Sequence, residues 1–227
     1  MLNSLLGGDI KTFIVSIMLS LPIILLSLSV HETAHGYAAY KLGDPTAHSL
    51  GRLTLNPMKH LDPVGFICMM LFGFGWAKPV PINTRYFKKP KRDMAISGAA
   101  GPISNILLAI IFAILLGLEF KLIDALASNA SNLTEKTVMA LYWTQQFLTI
   151  GLRINVTLAV FNLIPVPPLD GSRIFLAFIP SKLYWKIMQY ERYIYLAVIF
   201  ALFFGLLDKP IAIMSNFIIE LLVKIFV

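Results

Sequence analysis

Long uncharged apolar runs alternate along this chain with short polar and proline-rich stretches. Thr12 to Val30 carries no charge and is long enough to cross a bilayer as a helix. That helix is predicted to continue to about Tyr40, with a bend at Pro22 and a stop at Gly43-Asp44-Pro45. In the Gly51–Pro57 stretch, Leu53, Thr54 and Leu55 read as an extended piece closed by a turn. Val64 to Ala77 is apolar but only 14 residues long and contains Gly65, Gly73 and Gly75, so it is re-entrant or partly buried rather than spanning. Lys78-Pro79-Val80-Pro81-Ile82-Asn83 is extended by its prolines. The two extended pieces either pair as a small sheet or remain plain loops. Met94 to Leu118 is a second spanning run, followed by a mixed, amphipathic surface segment from Glu119 to Lys136. A further helix is predicted over Val138 to Leu163. Pro165, Pro167 and Pro168 break it and impose an extended segment. Tyr193 to Leu207 and Pro210 to Val227 read as a tight helical hairpin around Asp208-Lys209.

Composition agrees with a membrane setting. The chain of 227 residues is 57% hydrophobic and only 14% charged, against about 25% charged in soluble domains. The single cysteine, Cys68, excludes an internal disulfide. The net charge of +7 suits basic loops beside anionic lipid better than nucleic acid. The first apolar run is too long for a signal-peptide core and ends in polar residues rather than a small-residue cleavage site, so it is expected to be retained. With the N-terminus outside, 14 lysines and arginines fall in inner segments and 4 in outer ones, with Arg153 inside a helix. The opposite orientation breaks the positive-inside rule. Asn129-Ala130-Ser131 and Asn132-Leu133-Thr134 match the glycosylation acceptor pattern but carry little weight on their own.

The chemistry is concentrated at helix ends. His31 and His35 lie four apart, which puts them on one helical face where two imidazoles can reach one metal ion. Glu32 beside them can hold or deprotonate a water, as in the zinc-hydrolase pattern H-E-x-x-H. A short pattern also arises by chance, or as polar residues at the end of a membrane helix. Ionisable groups inside a membrane are costly, however, which favours a functional role. Catalytic zinc sites use three protein ligands and keep one position open. Asp170, beside the proline break and at the same depth, is the strongest third ligand; His48 and His60 compete from the polar inner loop. Ser97, Gly101 and Asn105 fall four apart on one face, which permits close helix packing and points the Asn105 amide at the same neighbour. A transporter or channel would also use intramembrane carboxylates and broken helices, but no repeated half is visible. The expected architecture is an α-helical integral membrane protein: a polytopic bundle of about five to six helices, with a small membrane-associated extended or β element near the active site, all in one domain over residues 1–227.

At this point the residues resemble the site-2 protease family of intramembrane zinc metalloproteases. His31-Glu32-Thr33-Ala34-His35 matches its first motif, and Asn162 to Gly171 matches Asn-x-x-Pro-x-Pro-x-Leu-Asp-Gly. Gly51 to Asp62, Lys78 to Asn83, and Gly101-Pro102 with Asn105 look like the short bacterial branch, without an inserted PDZ domain, a nucleotide-binding domain or a helix before the catalytic one. The resemblance implies one zinc ion bound by His31, His35 and Asp170, with Glu32 as general base. It implies that Asn162 and Asn105 contact the substrate or the developing oxyanion. The implied substrates are transmembrane segments of other proteins, cut in regulated proteolysis or in clearing signal-peptide remnants. Leu53, Thr54 and Leu55 are expected to offer such a substrate a strand edge. The implied location is the cell membrane, multi-pass, with the active site toward the cytoplasmic side.

Overall fold

A computed structural model describes residues 10–72, 75–128 and 134–227. The chain is overwhelmingly helical. Helix α1 (Ile10–Lys41) carries the first apolar run and ends at Gly43, whose φ of 109° breaks the helix. A short α2 (Thr46–Ser49) and a 3-10 turn (Pro57–Lys59) lead to α3 (Pro63–Phe72). Helix α4 (Pro90–Ala127) extends well beyond the predicted span and takes in much of the segment expected on the surface. Helix α5 (Glu135–Asn162) follows, then the short α6 (Asp170–Leu176), α7 (Ser181–Gln189), α8 (Glu191–Phe203) and α9 (Asp208–Phe226). The two candidate glycosylation sequences lie outside the described residues, apart from Thr134.

Four of these helices share one core. Ile23 of α1, Ala109, Phe112, Ala113 and Leu116 of α4, Leu148, Leu152, Val156 and Val160 of α5 and Leu222 of α9 are buried against one another. The opposite faces expose large apolar side chains such as Ile103, Leu107 and Ile111, the pattern of a bundle whose exterior solvent is lipid. Among the described residues, α1 and α4 are long and apolar enough to cross a membrane, and α8 with α9 makes a third span if the bent pair is taken as one. Helix α5 has the length but carries Glu135, Lys136, Gln145, Gln146, Arg153 and Asn155.

One open alternative is resolved and two expectations are corrected. First, no sheet forms among the described residues. Leu61 and Ala77 make one isolated antiparallel bridge, and Leu53-Thr54-Leu55 is not paired with Lys78–Asn83. The two pieces are stitched by side chains instead: Arg52 Nη2 donates to the carbonyls of Lys78 (2.8 Å) and Pro79 (3.3 Å). Pro79 and Pro81 lack the N–H groups a ladder would need. Second, the proline break after Asn162 is a compact series of turns, not an extended segment, with Val166 N–H donating to Ile164 O (2.8 Å) and Leu169 N–H to Val166 O (3.0 Å). Third, α8 and α9 are not a hairpin. They bend by 78°, with Gly205 in the left-handed region at φ 68°. The end of α9 then comes so close to α4 that a methyl group on Gly117 would lie 1.9 Å from Phe226 O.

Candidate metal centre

His31 and His35 stand one turn apart on α1 and are both buried. Their rings meet edge to face, with centroids 4.5 Å apart. Helix α4 lies directly against them because its facing residues are small. A Cβ on Gly101 would sit 2.3 Å from His35 Nε2 and 2.7 Å from His31 Cε1. The predicted Ser97, Gly101 and Asn105 face is therefore the face turned to the histidines. Helix α6 brings in Asp170 at its first residue; it packs where α4 has Gly98, and Gly171 lies against the Leu163 carbonyl.

The three side chains converge. His31 Nε2 lies 2.9 Å from His35 Nε2, and each lies 3.1 Å from Asp170 Oδ2. The other ring nitrogens are committed. His35 Nδ1 lies 2.7 Å from the backbone carbonyl of Ser97, which can only accept, so Nδ1 carries the hydrogen. His31 Nδ1 lies 2.6 Å from Asn105 Oδ1 and donates to it. In the neutral rings both Nε2 atoms are then bare lone pairs aimed at each other and at a carboxylate oxygen. Such a trio repels itself unless positive charge lies between its members. A proton can join two of them, whereas a metal ion joins all three. Tetrahedral zinc with bonds of about 2.0–2.2 Å separates its ligands by about 3.3–3.5 Å, so a small outward adjustment fits this set. Ring N–H groups held by a carbonyl or amide oxygen are also the usual support for metal-binding histidines. Among the described residues, His31, His35 and Asp170 are the group whose ligand atoms can hold one ion. Asp170 Oδ1 faces Arg173 Nη1 at 3.8 Å.

The competing third ligands lie elsewhere. His48 is exposed and stacks on Tyr40. His60 is buried, with Nε2 spent on Thr54 O at 2.7 Å. Glu32 is buried beside the pair, and its Oε2 accepts the backbone N–H of Val80 at 2.7 Å. The stretch from Ala77 to Asn83 thus forms a strap across the centre. It is anchored by Lys78 N–H on His60 O (2.7 Å) and Asn83 N–H on Asp44 Oδ2 (2.6 Å). Leu53 packs on Gly36, the Thr54 carbonyl also accepts from Thr33 Oγ1 at 2.7 Å, and Leu55 is exposed. Asn162 is half-buried at the end of α5, its amide turned to Leu158 O at 2.9 Å. Asn105 is wholly buried, and both ends of its amide are engaged inside the protein. A cavity of about 460 Å³ lies beside the proline break, lined by Pro168, Met188, Gln189, Glu191, Arg192 and Tyr195; none of the three converging ligands lines it.

Sequence reasoning did not find the Val80 N–H or Asn155. The first is a backbone group and leaves no mark in the sequence. The second had a signal: an amide at a core position of α5 among Leu152, Val156 and Ala159.

The model of the family described as peptidase family M50 matches residues 19–206 of the chain. YwhC of Bacillus subtilis (strain 168), which carries a zinc-metalloprotease name, is 43% identical over 171 residues, covering 75% of this chain and 73% of that one. Rip2 of Mycolicibacterium smegmatis and MJ0611 of Methanocaldococcus jannaschii carry names of the same kind. Each is 31% identical, over 65% and 49% of this chain respectively, and the chain spans about half of their lengths, 52% and 48%. No solved structure matches the chain significantly.

Proposed function

The chain belongs to peptidase family M50 and is a zinc metalloprotease, and from that premise we propose that it cuts membrane-spanning segments of other proteins at a centre built from His31, His35, Asp170 and Glu32. The observation that carries this reading is the convergence of two bare imidazole nitrogens and one carboxylate oxygen within 3.1 Å, buried among membrane helices. His31 and His35 from α1 and Asp170 from α6 hold the zinc ion. When bound, zinc supplies a Lewis acid that polarises a carbonyl and brings the pKa of a water toward about 7.

The remaining steps belong to the chain's own residues. Glu32 Oε2 is fixed by the Val80 N–H, which leaves Oε1 to take a proton from the attacking water and return it to the leaving amine. The Asn162 amide, once it swings off Leu158 O, is the side chain we assign to the developing oxyanion, since a hydrogen-bond donor is worth most where water is excluded. Asn105 acts through His31 rather than on substrate, because its amide is engaged on both sides. The N-terminus lies outside and the centre toward the cytoplasmic ends of the helices, a reading supported by the cluster of basic residues from Lys41 to Arg92 between the first two spans. Substrates are single membrane helices in the same bilayer, unwound before they are cut.

Metal analysis of protein purified from the membrane tests the centre. We expect about one zinc per chain, lost in His31→Ala, His35→Ala and Asp170→Ala. Glu32→Gln should keep the zinc and abolish cleavage of a membrane-helix substrate. Full zinc content in Asp170→Ala would overturn the ligand set.

A further inference from the structure

Behind His31 of α1, two buried amides continue the line through α4 and α5. Asn105 of α4 and Asn155 of α5 are both fully buried. Asn155 Nδ2 donates to the Gly151 carbonyl at 2.9 Å. A backbone carbonyl can only accept, so this bond fixes which end of the Asn155 amide is which. Its Oδ1 is therefore presented to Asn105, whose Nδ2 donates to it at 3.1 Å. Asn105 Nδ2 also lies 3.4 Å from Ser27 O, at the long limit of a hydrogen bond. With its nitrogen turned to Asn155, Asn105 must present Oδ1 to His31 Nδ1, 2.6 Å away.

The consequence falls on a hydrogen atom. An acceptor at Nδ1 requires the hydrogen of a neutral imidazole to sit on Nδ1 and leaves Nε2 bare. Had the Asn105 amide been turned the other way, its N–H would face Nδ1, the ring hydrogen would move to Nε2, and Nε2 could not ligate. His35 needs no such device, because Ser97 O holds its Nδ1 directly. His31 has no backbone carbonyl on its Nδ1, and its hydrogen placement is decided two side chains away.

We infer that Asn155 is a positioning residue of the metal centre: through Asn105 it selects the imidazole tautomer of His31 that can bind zinc. This rests on the reading of His31 as a zinc ligand. Asn155→Leu keeps the branched outline of the side chain, with bulkier methyl ends, and removes both polar ends. It strands one Asn105 N–H and leaves only the long contact with Ser27 O, 3.4 Å, to oppose a turn of the Asn105 amide. In Asn155→Asp, the neutral acid form keeps an acceptor oxygen for Asn105 and a donor hydroxyl for Gly151 O.

The test is 15N NMR of histidine-labelled, metal-free protein, with a zinc titration of the same samples. Single replacements of the four histidines assign the ring signals. In the wild-type protein His31 and His35 should both carry hydrogen on Nδ1. In Asn155→Leu, His31 should move partly or wholly to the Nε2–H form while His35 stays as it was. Zinc affinity should then fall by about 10–100-fold, the range for losing support around a metal ligand. Asn155→Asp should restore both the tautomer and the affinity. An unchanged His31 tautomer and affinity in Asn155→Leu would overturn the inference and leave the zinc centre standing, as would equal changes at His31 and His35, which would mark a general collapse. Failure of the wild-type protein to bind zinc would instead remove the functional reading beneath it.

Discussion

Gly101 has no side chain, and the centre depends on that. A methyl group there would press on His35 Nε2 from 2.3 Å, and on a buried ring rather than the free end of a flexible chain. Gly101→Ala should therefore weaken zinc binding by about 10–100-fold, read by competition with a chelator. Gly36 makes an instructive contrast. A Cβ there meets Leu53 Cδ2 at 2.6 Å and Val80 Cγ1 at 2.9 Å, both ends of side chains on the strap side. Gly36→Ala should spare the zinc and impair cleavage, because Val80, whose N–H holds Glu32, is displaced along with Leu53. Val80→Pro removes that N–H outright. A hydrogen bond to a charged group contributes about 1.5–3 kcal/mol, so kcat should drop about tenfold or more with zinc content unchanged. A Val80→Pro enzyme as active as the parent would show that Glu32 needs no such support.

At the scale of elements, the sequence made the helices legible and left their joints hidden. The four-residue spacings of His31 with His35, and of Ser97, Gly101 and Asn105, are local consequences of the helical period. They translate directly into two facing surfaces. The break at Pro165, Pro167 and Pro168 was equally readable, since proline ends a helix wherever it falls. What the broken segment does next was not readable, because its turns depend on which carbonyls lie within reach. The 78° bend between α8 and α9 had the same cause: an apolar run followed by Asp208-Lys209 suits a hairpin and a kink alike. The extended pieces lie near the centre, and of the two readings the sequence left open, a sheet and plain loops, the loops hold, because Arg52, His60 and Asp44 take the partners a sheet would have used. This bears on strand addition. The Thr54 carbonyl already accepts from Thr33 and His60, so an unwound substrate must use the neighbouring backbone of Leu53 or Leu55. Leu55 is exposed and free of the packing that ties Leu53 to Gly36. Leu55→Pro should slow cleavage several-fold and leave zinc binding intact. Unchanged cleavage would remove this stretch from substrate binding.

For the whole molecule, the charge asymmetry and the packing make one joint statement about the membrane. A reporter fused after Lys91 should read cytoplasmic and one after Ser128 external, from the split of basic residues. The end of α9 adds a point the hairpin reading would reverse. Phe226 abuts Gly117, which at 1.5 Å per residue lies about 15 Å from the Ala127 end of α4 and about 40 Å from the Pro90 end. A reporter after Val227 should therefore share the side of Ser128; a cytoplasmic signal there would restore the hairpin. Ser97 and His35 exchange two hydrogen bonds. Ser97 O accepts from the ring of His35, and Ser97 Oγ donates to the backbone carbonyl of the same residue at 3.0 Å. Helices α1 and α4 are thus buttoned together at His35, one of the three converging side chains, and parting them would pull the proposed ligand set apart as a substrate arrived. On the proposed reading, a substrate helix must therefore come in past the other flank of α1, where the strap is held by a few single hydrogen bonds. A cysteine crosslink between α1 and α4 should leave cutting intact, whereas one pinning the strap to α1 should lock substrates out.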